Sequence, residues 1–169
     1  MIPAALLGTG GLLPERVWST EELLRQTDRD DDPAELIAKS GIARRGWWDK
    51  GMTCAEIGAR VLKSALDDAG IEARDLRRLI FATSTGGDTT MPATANAIQV
   101  AAGIRDTCDA FDISNACMGF VTAFDLAARS AATGLSPVAV VVVEQPSVFV
   151  KPSDPRPWLV FGDAAAAAI

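Results

Sequence analysis

The sequence predicts an α/β domain built on a mostly parallel sheet. Three observations carry this reading. Short apolar, strand-like runs alternate along the chain with capped, amphipathic helical segments. Val138–Val143 is an unbroken apolar run between Pro137 and Glu144, the pattern of a strand covered on both faces. The 169 residues are 49% hydrophobic and 22% charged, enough for one compact domain with a sizeable core and too apolar for a disordered tail.

Taken in order, Ala4–Gly8 is a short apolar run ending in the turn-forming Gly8-Thr9-Gly10-Gly11. Ser19-Thr20-Glu21-Glu22 fits a capping box ahead of Leu23 and Leu24, with Ser19 as N-cap and Glu22 reaching back. Asp32-Pro33 opens a second helix that stops near Gly41, proline being well suited to the first helical position. Arg44–Trp48 reads as a loop. Thr53-Cys54-Ala55-Glu56 is another capping box, and Ile57, Val61, Leu62, Ala65, Leu66 and Ala69 keep one face apolar until Gly70. Leu79–Thr83 is a strand, Pro92 opens a helix through Ile98 to Gly103, and Ala110–Ser114 is a strand. A helix from Met118 to about Thr133 follows, with Asp125 and Arg129 as an i,i+4 pair. Lys151–Pro157, with three prolines, is a loop, and Phe161-Gly162-Asp163 leads into an alanine run.

Composition removes several classes of function. Sixteen basic against 22 acidic residues give a net charge of −6, which disfavours binding along a phosphate backbone. The chain has no histidine, so a His-based metal site, a Ser-His-Asp triad or a Cys-His pair made by this chain alone is excluded. Three cysteines (Cys54, Cys108 and Cys117) form no CxxC pair, which points to reduced thiols, a cytoplasmic setting and no metal site. The N-terminal segment lacks a basic n-region, and no uncharged stretch reaches the roughly 20 residues that span a bilayer.

Cys117 is the candidate nucleophile. It lies between the strand Ala110–Ser114 and a helix whose apolar character all round marks it for burial. At a helix start the unpaired N–H groups and the dipole favour a thiolate, and can pull a thiol below its ordinary pKa of about 8.5. The same N–H groups suit an oxyanion hole, and Gly119 lets a substrate approach the backbone. A cysteine in such a place also serves as a small buried hydrophobe, and the local pattern alone leaves both readings open. Cys54 and Cys108 lack this context and read as structural.

Eight blocks in order carry a resemblance. They are Gly8-Thr9-Gly10 with Leu13-Pro14; Ser40-Gly41-Ile42-Ala43-Arg44; Asp68-Ala69-Gly70-Ile71; Ala82-Thr83-Ser84-Thr85; Met91-Pro92-Ala93-Thr94-Ala95 with Ile98-Gln99; Ala110-Phe111-Asp112-Ile113; Ala116-Cys117-Met118-Gly119-Phe120; and Phe161-Gly162-Asp163-Ala164. With these the chain resembles the N-terminal half of a β-ketoacyl-acyl carrier protein synthase III, within the thiolase-like superfamily. The resemblance implies a thiolase-like half over residues 1–169, with a five-stranded mixed, mostly parallel sheet and helices on both faces. It implies an acyltransferase in which Cys117 takes an acyl group from coenzyme A or the phosphopantetheine of an acyl carrier protein. The thioester then condenses with a malonyl-type nucleophile, in fatty acid, polyketide or specialised-metabolite biosynthesis. No further cofactor is implied.

The same resemblance makes Met91, Met118, Gly119, Phe120, Lys39 and Arg156 candidate substrate-binding residues. Where the family stacks an aromatic residue on coenzyme A, this chain has Glu35. The family's arginine before the Ser40-Gly41-Ile42 block is Lys39 here, and a later arginine falls on Pro155, with Arg156 one place along. Family members consist of two similar halves, and their catalytic His and Asn come from the second. The implied partners are therefore a second polypeptide or C-terminal half supplying His and Asn, and a two-fold mate joined along Ala110–Ser114, whose acyl pocket Met91 lines. Without a covering partner, helix Met118–Ala132 would expose a whole apolar face. The alternatives are a non-catalytic partner subunit of a ketosynthase-like complex, or acyl transfer to oxygen or nitrogen.

Overall fold

A computed structural model describes residues 3–104 and 108–169. In chain order the elements are β1 (Thr9–Leu12), β2 (Val17–Ser19), α1 (Thr20–Leu24), α2 (Pro33–Ser40), β3 (Arg44–Gly46) and α3 (Cys54–Ala69). They continue with β4 (Arg78–Ala82), α4 (Thr94–Ala101), β5 (Asp109–Ile113), α5 (Gly119–Ala132), β6 (Val138–Glu144), α6 (Pro155–Val160) and β7 (Ala164–Ala168). The chain divides into two compact units. One comprises Met1–Leu12, Met52–Glu144 and Ala165–Ile169, the other Leu13–Gly51 and Gln145–Ala164. No helix among the described residues is long and apolar enough to cross a membrane.

The first unit is a five-stranded mixed sheet in the order β1-β7-β6-β4-β5. β4 pairs in parallel with both β5 and β6, and β1 pairs antiparallel with β7. Helices cover both faces. Ala123 and Ala127 of α5 pack with Ile80, Ala82, Val138 and Val140, while α3 brings Gly58 against Val141 of the opposite face, as the two-residue alternation of a strand requires. Leu79, Ile80, Phe81, Val140, Val141 and Val143 are buried, which accounts for the unbroken apolar run in β6.

α3 is the best-defined helix in the sequence and in the structure. Thr53 and Glu56 exchange the two bonds of a capping box, and Gly70 ends the helix at φ 66°. The glycines at the N-terminus do not make the expected turn. Gly10 and Gly11 belong to β1, and the reason lies in α3. A Cβ on Gly10 would stand 2.5 Å from the Val61 carbonyl oxygen, and one on Gly8 would stand 2.7 Å from that of Ala65. The chain here lies directly on the helix backbone, and only glycine fits.

The second unit pairs β2 with β3, antiparallel, Trp18 opposite Arg45. The Arg44–Trp48 loop expectation is thus corrected for Arg44–Gly46. The buried Arg45 guanidinium donates to Thr20 Oγ1 and the Leu159 carbonyl, and Trp47 stacks edge-on against Trp158 with centroids 4.6 Å apart. These partners are distant in sequence, so no local pattern announces them. The loop expected over Lys151–Pro157 ends early, because Pro155 sits in the first turn of α6, a place where its missing N–H costs nothing. Asp163 is buried and ties this unit together. It accepts from the Trp48 amide (2.8 Å), the Ser147 amide (3.0 Å) and the Ser147 hydroxyl (2.6 Å).

Gly10→Ala should lower stability by about 1–3 kcal/mol, the usual cost of forcing a methyl group into a closed space. Gly11→Ala, with nothing within 4 Å of its added carbon, should change it by much less. Urea unfolding midpoints of the two variants check this, and equal shifts would refute the account of β1 against α3.

Candidate active site

The C-terminal ends of three parallel strands set the site. In an open α/β sheet the loops that leave those ends carry the functional groups. Ala82 pairs with Ile113 of β5 on one side and Val142 of β6 on the other. Beyond Ile113 the chain passes through Ser114 and Asn115 into a 3₁₀ turn, Ala116–Met118, and then into α5. Cys117 lies in that turn, one residue before the expected helix start at Met118, and its side chain is exposed. Ala116, directly before it, has φ 44°, a left-handed conformation that costs a residue bearing a Cβ. The Met118 amide closes the turn onto the Asn115 carbonyl at 3.0 Å. Asn115 Nδ2 also donates to Thr122 Oγ1 (2.9 Å), bracketing the residues around Cys117.

The start of α5 differs from those of the other long helices. α3 has its capping box, and Asp88 additionally accepts from the Cys54 and Ala55 amides (2.7 and 2.8 Å). α2 is capped by Asp32. α4 receives Asp112, which accepts from the Thr94 and Ala95 amides at 2.8 Å each. At α5, among the described residues, no side chain caps the N-terminus and the first turn holds no acid. The preceding turn supplies backbone acceptors instead, the Met118 amide donating to the Asn115 carbonyl and the Gly119 amide to the Ala116 carbonyl, so the positive end of the helix adjoins Cys117 with no acid in its first turn.

The other cysteines are in different surroundings. Cys54 is buried, and burial pushes its thiol up to about 12, with the neighbouring Asp88 carboxylate adding to the shift. Burial likewise raises the half-buried Cys108. Both suit the structural role expected of them.

The structure brings some of the sequence candidates together and separates others. Met118 (55% exposed), Gly119 and Phe120 (46% exposed) adjoin Cys117 in the chain. Gly119 is buried over Ala82, where an added Cβ would make an ordinary 3.5 Å contact with the Ala82 Cβ, so the sheet does not itself demand glycine. Met91 is 88% exposed in the loop before α4, which begins at Thr94 rather than at Pro92. Lys39 and Arg156 belong to the second unit. Both are exposed, and Lys39 pairs with Glu35 at 3.1 Å, one helical turn away.

α5 is buried on one side only. Ala123, Ala127 and Ser130 face the sheet, while Phe120, Val121, Phe124 and Leu126 face outward, with Phe120 and Phe124 in ring contact at 5.6 Å. This corrects the all-round burial suggested by its composition and matches the apolar face expected of an uncovered half. Beside it runs a groove of about 220 Å³ lined by Leu6, Leu7, Phe124, Ala128, Ala131 and Ile169, among others. The expected Asp125–Arg129 pair is present at 2.7 Å. Sequence reasoning missed the carboxylates Asp88, Asp112 and Glu144, which converge on the region at the start of α3 and the ends of the parallel strands. The only signal in sequence was their place at the ends of apolar runs or in Gly-rich loops.

Comparison with known proteins agrees with this architecture. Residues 111–169 match the family model 3-oxoacyl-[acyl-carrier-protein (ACP)] synthase III. A β-ketoacyl-[acyl-carrier-protein] synthase III of Cereibacter sphaeroides is 36% identical over 169 residues, covering 99% of this chain and 51% of the relative. One from Vibrio vulnificus is 33% identical over 165 residues, covering 97% and 51%. Among solved structures, 3-oxoacyl-[acyl-carrier-protein] synthase III of Aquifex aeolicus superposes with a TM-score of 0.84 at 32% identity, covering 96% of this chain and 52% of that one. A priming β-ketosynthase of a polyketide biosynthetic pathway gives 0.89 at 29%, covering 96% and 48%. The chain spans about half the length of the curated relatives it matches.

At pH 8, iodoacetamide should alkylate the exposed Cys117 at least tenfold faster than Cys54, whose thiol stays protonated until near pH 12. Peptide mass mapping of the folded chain reads the order, and faster modification of Cys54 would refute this site geometry.

Proposed function

We propose that this chain, which belongs to the β-ketoacyl-ACP synthase III-like family of the thiolase-like superfamily and corresponds to its N-terminal half, forms an acyl thioester on Cys117. The observation that carries the reading is the pairing of an exposed Cys117 with a helix start that, among the described residues, has no side-chain cap. The sulfur attacks the carbonyl carbon of an acyl thioester delivered on coenzyme A or on acyl carrier protein. The positive end of α5 stabilises the charge that develops on the carbonyl oxygen, and the donor's thiol leaves. Met118 and Phe120 line the acyl group, Gly119 lets it approach the backbone, and Lys39 and Arg156 are the candidate contacts for the carrier's phosphates. Residues 1–169 act together as one thiolase-like half.

Condensation with a malonyl-type nucleophile then needs donors for an enolate, and this chain has no imidazole to offer. The His and Asn come from a second, similarly folded segment that covers the outward apolar face of α5. That face supports the assignment, because a monomeric surface seldom leaves so many large apolar side chains together. The assembly is two-fold symmetric, joined along β5, which lies at the edge of the sheet, and Met91 reaches the mate's acyl pocket.

Incubated with an acyl-CoA, the chain should gain the acyl mass on Cys117. Cys117→Ala should abolish the adduct, while Cys54→Ala and Cys108→Ala keep it, and an undiminished adduct on Cys117→Ala would overturn the reading. Carbon–carbon bond formation by the lone, folded chain should fall at least about a hundredfold below that of the complete assembly, the scale of one lost oxyanion donor. Full-rate condensation without the second segment would refute its role. Light scattering of the complete assembly should give twice the protomer mass, and a monomer would refute the β5 junction.

A further inference from the structure

A side-chain hydrogen bond bridges the turn that carries Cys117, and the reaction above assigns it no role. Two fixed points flank that turn. Ile113 is held in the sheet, where its carbonyl accepts from the Thr83 amide at 3.3 Å. α5 is seated by Gly119 over Ala82 and by the buried Ala123. Residues 114–118 between these anchors are all exposed, so packing does little to fix their path. Backbone bonds shape the turn itself, the Met118 amide donating to the Asn115 carbonyl and the Gly119 amide to that of Ala116. Across it runs the bond from Asn115 Nδ2 to Thr122 Oγ1, at 2.9 Å.

Neither helix capping nor burial accounts for this bond. Asn115 stands in the capping place of the 3₁₀ turn, where an asparagine side chain usually accepts from an amide two or three residues on, yet it makes no such bond. Its amide is exposed, and a hydrogen bond that water can replace adds little to the stability of the whole fold. Its effect is local. It ties the residue entering the turn to the fourth residue of α5, and Ala116 and Cys117 lie within the loop so closed. Ala116 has φ 44°, a conformation that a residue bearing a Cβ abandons unless its surroundings hold it. Relaxation of Ala116 to a negative φ would redirect Cys117, the next residue in the chain.

Resting on the Cys117 thioester reading, we propose that Asn115 is a positioning residue, whose bond to Thr122 keeps Ala116 left-handed and Cys117 aimed at the incoming acyl carbonyl. The step it serves forms the bond from Cys117 Sγ to the acyl carbon and breaks the bond from that carbon to the donor sulfur. The cysteine proton ends on the departing thiol. Attack on a carbonyl needs close alignment, and a misplacement of about 1 Å costs on the order of a hundredfold in rate. Asn115 acts through Cys117 and takes no part in bond making.

The test follows acylation of Cys117 by an acyl-CoA, by intact mass, over a range of donor concentrations on the full chain, with urea midpoints confirming the fold of each variant. Asn115→Ala and Thr122→Val each remove the bond. Each should lower the maximal acylation rate at least about fivefold and leave the half-saturating donor concentration within about twofold. The double variant should be no more than about twofold slower than the slower single variant, because the two groups act as a pair. Thr122→Ser, which keeps the hydroxyl, should stay within about twofold of the parent. Iodoacetamide is small and reaches an exposed sulfur from many directions, so alkylation of Cys117 should change less than about twofold in every variant. Undiminished acylation in either single variant, losses that multiply in the double variant, failure of Thr122→Ser to keep the rate, or an equal loss of alkylation would overturn the proposal. If the parent chain acquires no acyl group on Cys117, the thioester reading fails and this proposal with it, a result distinct from the others.

Discussion

Every α-helix begins with peptide N–H groups that its own carbonyls cannot reach, and the distribution of acceptors among those groups organises the end of the sheet where Cys117 lies. Ser19, Asp32, Thr53 with Glu56, Asp88 and Asp112 supply them at α1 through α4. At α5, among the described residues, no side chain supplies one; the Asn115 and Ala116 carbonyls of the preceding 3₁₀ turn accept from the Met118 and Gly119 amides, and the middle residue of that turn is Cys117. An acid there would offset the positive helix end that favours a thiolate or oxyanion. On the thioester reading the uncapped start serves the chemistry, and the starts capped by side chains hold the surrounding frame.

That frame has to be rigid for the uncapped end to be useful. β4, β5 and β6 run parallel and in register, so their C-terminal ends form one row from which Glu144, Ser84 and the Cys117 turn all depart. α5 crosses above this row on small residues, Gly119, Ala123 and Ala127, which let the helix lie close to the sheet. The opposite face relies on a related device, with Gly8 and Gly10 lying on the backbone of α3 and Gly58 against Ile98. Small residues at the contacts and large ones between them locate each helix within a narrow tolerance. The left-handed Ala116 persists next to Cys117 because both ends of its turn are held, by the ladder at Ile113 and by the Asn115–Thr122 bond.

Much of this was legible in the sequence wherever the physics is local. Capping boxes at Ser19 and Thr53, the Pro33 helix start, the Gly41 and Gly70 stops, and the apolar runs of β4 and β6 appear within a residue of their expected places, because each depends on neighbours a few positions away. Local reasoning failed where a distant partner decides. Arg44–Gly46 becomes a strand because Val17–Ser19 lies beside it, Gly10 and Gly11 form a strand rather than a turn because α3 occupies the space a side chain would need, and an alanine run becomes β7 between β1 and β6 despite the weak β preference of alanine.

The sequence by itself determined the layered α/β class, the helix caps, the absence of imidazole and the identity of Cys117 as the residue at a strand–helix junction. Each follows from residue type and short-range spacing. Only the tertiary structure decided that α5 is covered on one side alone, that Asp88 and Asp112 serve helices encoded elsewhere, and that Glu144 meets Ser84 sixty residues away in the chain. Strand register is the reason. Pairing brings residues into contact without regard to their separation in sequence, and no periodicity within one segment records which segment will lie beside it.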